Sequence, residues 1–201
     1  VNVIGITLSK NQAAYSMALL AGIPTSRTAE VRLQGWEEFN DKVDRIVSIG
    51  AFEAFKVERY PLFFEKAYNV LPDDGRMLLH TILMHTQKFY HDNNIKLTIS
   101  DLKFGKFIEA EIFPGGRLPA VEDIEKLAAG SGFTLERTHL LQPHYARTLD
   151  MWAATLEANK AAAIEMTSLE VYDRYMRYLT GCADFFHRGI TNVGQFTLVK
   201  G

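Results

Sequence analysis

Apolar and polar positions along this chain alternate in two rhythms, and the switches between them mark out the elements. Val1-Asn2-Val3-Ile4-Gly5-Ile6-Thr7 has the composition and alternation of a strand. Ser9 then stands as an N-cap for a helix from Asn11 to Ala21, with Ala14, Met17, Ala18 and Ala21 on one face; Pro24-Thr25-Ser26 breaks it. Ala29 to Leu33 and Val43 to Gly50 read as two further strands, and helical spacing follows over 52–58 and 61–70. Pro72-Asp73-Asp74-Gly75 turns into Met77-Leu78-Leu79-His80-Thr81-Ile82-Leu83, an apolar run of the kind buried on both faces of a parallel sheet.

From His85 to Phe113 the pattern changes. Phe89, Tyr90, Phe104, Phe107 and Phe113 recur near helical spacing among charged residues, and Pro114-Gly115-Gly116 closes the stretch. This predicts a helical lid insertion over about 85–118. A helix at 121–130 and a strand at 133–141 resume the alternation, followed by helices over 146–163 and 168–185. Thr167-Ser168-Leu169-Glu170 has the spacing of a capping box, and Gln195 to Lys200 closes as a strand paired with its predecessor. Strands alternating with helices predict an α/β fold, one domain over 1–201 with a mostly parallel sheet.

Composition narrows the class. The chain has 201 residues, with 22 Lys+Arg against 24 Asp+Glu and a net charge of -2. No basic surplus is available to hold a polyphosphate, so no nucleic-acid partner is expected. One cysteine, Cys182, excludes an internal disulfide and a cysteine-rich zinc site, and a cytoplasmic protein is expected. No apolar run approaches the ~18 residues of a membrane span. A core strand opens at Val1 itself, and the expectation is that further sequence of the same domain precedes it.

Ligands of open parallel sheets bind beyond the carboxyl ends of the strands. Thr7 to Gln12, Gly35-Trp36-Glu37, Ile49 to Glu53 and His80-Thr81 are the residues this chain sends there. The rim gathers an amide, a hydroxyl, an indole, a carboxylate and an imidazole. No Walker loop, strand-associated GxGxxG or GxSxG elbow accompanies them. The six histidines (80, 85, 91, 139, 144 and 187) form no HExxH pair, so no metal is expected, and His85 and His91 read as surface residues.

Several segments taken together resemble the mycolic acid methyltransferases, relatives of cyclopropane fatty acid synthase. They are Ile46 to Glu53, Glu111-Ile112-Phe113-Pro114-Gly115-Gly116-Arg117-Leu118-Pro119, Gln142-Pro143-His144-Tyr145, Tyr178-Leu179-Thr180-Gly181-Cys182 and Gln195-Phe196-Thr197-Leu198. The resemblance runs in order from Val1 to Gly201. It implies a Rossmann-like S-adenosylmethionine-dependent methyltransferase sheet with a helical lid. It also implies methyl transfer from S-adenosylmethionine to a double bond of a long-chain acyl group, proceeding through a carbocation that loses a proton, with cyclopropane ring closure as one outcome in the family. By the same resemblance the acyl chain rides on an acyl carrier protein, and bicarbonate takes the proton, held by Glu53, His80, Tyr145 and the backbone of Ile49. Thr7, Leu8, Ser9, Lys10, Asn11 and Gln12, with Trp36 and Glu37, fall to the adenosine side of the cofactor. Cys182 matches the position usually given as the family's active site.

Two departures accompany the resemblance. Ala54 follows Glu53 where the family usually has a histidine, the pattern of a subgroup in which ring closure is not implied. The family's first strand, its glycine-rich loop and a further cysteine ligand would all lie ahead of Val1. In the family sheet that strand sits between the first and third strands of this chain. Each buried unpaired backbone group costs roughly 1–3 kcal/mol, against a domain stability of about 5–15 kcal/mol. Residues 1–201 alone are therefore expected to fold poorly and bind S-adenosylmethionine weakly. Plainer roles compete. Glu53 also suits a helix N-terminus, His80 a satisfied core position, Trp36 a sheet edge, and Cys182 and the aromatic stripe simple packing. A non-catalytic remnant or binding module, and a small-molecule methyltransferase, are the alternative functions.

Overall fold

The computed structural model describes all residues from Val1 to Gly201. The chain divides into two compact units, Val1–Val43 and Asp44–Gly201. In the first, β1 (Val3–Thr7) and β2 (Ala29–Leu33) pair in parallel, joined by α1 (Lys10–Ala21). Ser9 caps α1 as its sequence predicts, its hydroxyl accepting from the Gln12 amide. The expected apolar face of α1 is not buried: Ala14, Met17, Ala18 and Ala21 are exposed, and Ala13 is the buried position. Two short strands offer too little surface to cover a helix of twelve residues.

The second unit is built on a four-stranded sheet in the order β3 (Arg45–Ile49), β4 (Arg76–Met84), β6 (Thr191–Lys200), β5 (Phe133–Leu140). β3 and β4 are parallel, whereas β6 runs antiparallel to both neighbours. β3, β4 and β5 therefore run in one direction, the mostly parallel sheet that the sequence predicts, and the last strand pairs with its predecessor β5 while also inserting against β4. β1 and β3 each pair on one side only. On β4 the face of Met77, Leu79, Thr81 and Leu83 is fully enclosed, while Leu78 and Ile82 on the opposite face are half-buried.

Helices cover both faces of this sheet. α2 (Tyr60–Val70) and α5 (Val121–Gly130) lie on the side of Met77, Leu79, Phe196 and Leu198, where Tyr68 meets Phe133 edge-on at 5.1 Å. α6 (Gln142–Ala158) and α8 (Leu169–His187) pack on the other face, with Val193 and Ile82 beneath them. α7 (Lys160–Met166) separates the two, because the chain breaks at Asn159 instead of continuing to 163. α8 is capped by Ser168 bonding Val171, and the expected capping box does not form, since Glu170 reaches forward to Arg174. The expected insertion is helical: α3 (Gln87–Asp92), α4 (Ile99–Phe107) and a π-helical turn at Ile108–Ile112.

Candidate active site

The site in the second unit begins with a turn fixed by aromatic packing. Gly50, at φ +63°, bends the chain out of β3. Phe52 is then fully buried, stacked on Tyr60 at 4.1 Å and edge-on to Phe64 at 5.8 Å. This anchors a 3-10 turn, Phe52–Ala54, that carries Glu53. The Phe113-Pro114-Gly115-Gly116 segment clasps the same turn: Gly115 takes φ +75°, and the following Arg117 amide donates to the Glu53 carbonyl at 3.1 Å. Left-handed backbone at Gly115 carries no penalty, which accounts for a glycine there. Tyr60 closes the clasp, its hydroxyl donating to the Arg117 carbonyl at 3.2 Å.

Held this way, Glu53 turns its carboxylate to β4. Oε1 accepts from the Ile82 amide at 2.6 Å, beyond the end of the β3–β4 ladder at Ile49 and His80. Oε2 is buried with no hydrogen-bond partner. His80 is 8% exposed; its Nε2 lies 2.8 Å from Tyr145 Oη, on the first turn of α6, and its Nδ1 3.3 Å from Gln195 Nε2. Burial holds the His80 imidazole below its ordinary pKa, with the Glu53 charge pulling the other way. Burial and then the Glu53 charge raise Tyr145, and the same two causes push Tyr60 up to about 12. One carboxylate field thus reaches the imidazole and both phenols.

The structure therefore brings Glu53, His80 and Tyr145 together. Ile49 ends β3 beside His80 in register, its side chain 65% exposed. Cys182 is on α8, packed against the cluster of Leu149, Leu179 and Phe186 to which Tyr145 also belongs. Burial pushes its thiol up to about 12, so it is a neutral, weakly nucleophilic group. Sequence spacing alone misses Tyr60, Arg117 and Gln195. The signal for Gln195 is an amide set among the apolar residues Val193, Phe196 and Leu198 of the last strand. His85, read from sequence as a surface residue, is instead half-buried and stacked on Phe89 at 3.8 Å, with Nε2 enclosed and unpartnered. His91 is exposed, as expected.

In the first unit, the residues expected on the cofactor side form an ordered turn. The Thr7 hydroxyl donates to Gln12 Oε1 at 2.7 Å and accepts from the Ser9 amide at 3.1 Å. Its proton is thereby committed to holding the turn. Leu8, Lys10, Asn11 and Gln12 are exposed, Ser9 is half-buried, and Trp36 and Glu37 stand on a 3-10 turn after β2. A half-buried indole, an exposed carboxylate and an amide suit a nucleoside's flat base and hydroxyls. No group of three or more His, Cys, Asp or Glu has the arrangement of a metal site.

A sheet whose last strand inserts antiparallel, with helices on both faces and this polar cluster where the β3–β4 ladder ends, defines an S-adenosylmethionine-dependent methyltransferase fold. Residues 1–196 match the family described as mycolic acid cyclopropane synthetase, and the chain belongs to that family. It is 66% identical over 200 residues to the S-adenosylmethionine-dependent methyltransferase UmaA of Mycobacterium tuberculosis, covering all of this chain and 70% of that relative. The solved structure of the cyclopropane synthase MmaA2 from the same organism superposes with a TM-score of 0.97 at 53% identity, over 100% of this chain and 70% of that one. The mycolic acid cyclopropane synthase CmaA1, solved with SAH and CTAB, gives 0.94 at 52% identity with the same coverage.

Proposed function

We propose that this protein transfers a methyl group from S-adenosylmethionine to a double bond in a long, mycolic-type acyl chain carried on an acyl carrier protein in the cytoplasm. The observation that carries the reading is the buried, unpartnered Glu53 Oε2 beside the hydrogen-bonded His80–Tyr145 pair. When bound, S-adenosylmethionine supplies an electrophilic sulfonium methyl, and bicarbonate supplies a small base. Methylation of the alkene leaves a cation on the neighbouring carbon, and loss of a proton from the new methyl closes a cyclopropane ring.

The chain's own residues fit these demands. Bicarbonate has one O–H and several acceptor oxygens; Glu53 Oε2 is an acceptor without a donor, and Tyr145 offers a hydroxyl. Glu53, His80 and Tyr145, with the Ile49 backbone, would hold it. Thr7 to Gln12 with Trp36 and Glu37 would hold the adenosine side. Aromatic rings of the helical insertion over 85–118, Phe113 against Tyr178 among them, suit an apolar acyl chain and a passing cation. CTAB, a long-chain quaternary ammonium, in the CmaA1 structure supports the same substrate class. The name of the 66% identical relative states methyl transfer and does not mention ring closure, and Ala54 follows Glu53 here, so the proposed activity is methyl transfer.

The test is transfer of radiolabelled methyl from S-adenosylmethionine to an unsaturated acyl lipid on its carrier protein, with mass analysis of the product. Incorporation that falls about a hundredfold in Glu53→Gln and Tyr145→Phe supports the reading. No incorporation at saturating cofactor favours the non-catalytic binding module instead. Incorporation only into small molecules favours the small-molecule methyltransferase.

A further inference from the structure

We propose that Gln195 is a positioning residue that fixes the direction of hydrogen bonding through the site: its amide holds His80 in the Nε2–H tautomer and so turns the Tyr145 hydroxyl proton outward to the ligand. The inference rests on the reading above for what that ligand is, but its geometry stands alone. Gln195 lies on β6 directly opposite His80 on β4, an antiparallel pair whose side chains share a face. Its position is therefore set by the sheet ladder and not by a loop.

Donor and acceptor roles follow from the atoms. Gln195 Nε2 carries hydrogens and has no lone pair to offer, so at 3.3 Å it makes His80 Nδ1 the acceptor. A neutral imidazole has one N–H, which then sits on Nε2 and donates to Tyr145 Oη at 2.8 Å. Burial favours that neutral form. Tyr145, having accepted from His80, keeps its own hydrogen for a partner in the site. With the opposite polarity, His80 would consume the phenol hydrogen, and Tyr145 would offer only lone pairs beside the Glu53 carboxylate. A small oxyanion would then meet acceptors on both sides. Gln195 decides which of these two sites the protein has, without touching the reacting atoms.

The experiment is long-range proton–nitrogen correlation on the full chain labelled with nitrogen-15 histidine, the His80 signals being assigned by their loss in His80→Asn. In the wild type, His80 is expected as the Nε2–H form with an unprotonated Nδ1; an Nδ1–H form overturns the proposal. Gln195→Glu places an acceptor-only group there, and protonation at Nδ1 is expected. Gln195→Met removes the donor while keeping the bulk, and a mixture of both tautomers is expected. Persistence of the pure Nε2–H form in either variant overturns the proposal, and Gln195→Met serves should the glutamate variant fail to fold. The readout requires no turnover. Loss of methyl transfer by the wild type would strike the functional reading and leave the tautomer result standing.

Discussion

The ring of Phe104 on α4 lies against the bare backbone of Gly181 on α8: a β-carbon at 181 would fall 2.2 Å from Phe104 Cε2 and 2.3 Å from Cζ. This contact seats the helical insertion on the body of the second unit. The ring has little room to retreat, since Phe185 meets it edge-on at 5.0 Å and Phe107 lies 5.8 Å away. Gly181→Ala is expected to destabilise the protein by about 1 kcal/mol, the overpacking cost exceeding the roughly 1 kcal/mol that alanine gains in a helix. In a Phe104→Leu background the same change should become stabilising. Urea unfolding of the four proteins of that cycle checks it, and additive effects would show that the contact carries no energy.

A second tie holds the same insertion and responds to acid. Arg188, just past α8, donates to both carboxylate oxygens of Asp101 on α4, at 2.7 and 2.8 Å, and also to Asp184. Asp101 is 7% exposed and accepts from the Thr98 amide as well. The Arg188 hydrogen bonds hold the Asp101 carboxyl well below its usual range. A depressed carboxylate stabilises the fold fully above its unfolded pKa, near 4, and loses that contribution as pH falls through the lower folded value. Asp101→Asn is expected to cost roughly 1.5–3 kcal/mol at neutral pH. The difference between wild type and variant should shrink below about pH 4. Unfolding curves across that range decide it; a pH-independent difference would rule out the charge.

How much of this was legible in the sequence differs by element for physical reasons. β4 is readable because one enclosed face and one half-covered face together demand a nearly unbroken apolar run, and α1 because Ser9 announces its own cap. The start of α8 is off by one residue because the Thr167 hydroxyl is taken by the Ala163 carbonyl, closing α7, which leaves Ser168 to cap. The helix after β5 begins earlier than its apolar spacing predicts, at Gln142, since Pro143 is favoured in a first turn. The insertion of β6 between β4 and β5 is a tertiary choice that no local pattern carries. The site shows the same division. Glu53 follows the end of β3 and His80 stands where the β3–β4 ladder ends, close to where ligand groups are sought, whereas the contact of His80 with Tyr145 spans 65 residues and came only from the family resemblance.

Cys182 gives a prediction that needs no substrate. Its thiol is pushed up to about 12 by burial, with no opposing pull from a positive charge. Reaction with a disulfide reagent is expected to be slow at neutral pH and to rise only in alkaline solution. Cys182→Ala should retain methyl transfer within about threefold, because alkene methylation calls on no thiolate nucleophile. Rapid labelling at neutral pH, or loss of transfer in the alanine variant, would return a chemical role to this residue.

The first unit should open far more readily than the second. Among residues 1–43 only Ala13 and Gly35 are buried, and Leu8, Tyr15 and Leu19 are exposed at 79%, 72% and 56%. Local opening free energy follows buried apolar contact, so amides of β1 and α1 are expected to exchange with solvent much faster than those of β4 and β6. The turn from Thr7 to Gln12 is hydrogen-bonded but belongs to this readily opened unit, and holding the unit closed on binding subtracts from affinity. S-adenosylmethionine is therefore expected to bind weakly to residues 1–201, above the micromolar range by calorimetry. At saturating concentrations it should slow exchange in 1–43 while leaving β4 and β6 nearly unchanged, since a ligand stabilises the state it binds. Equal protection of both units without ligand would contradict the burial argument. Slowing confined to the second unit would move the cofactor away from Thr7–Gln12.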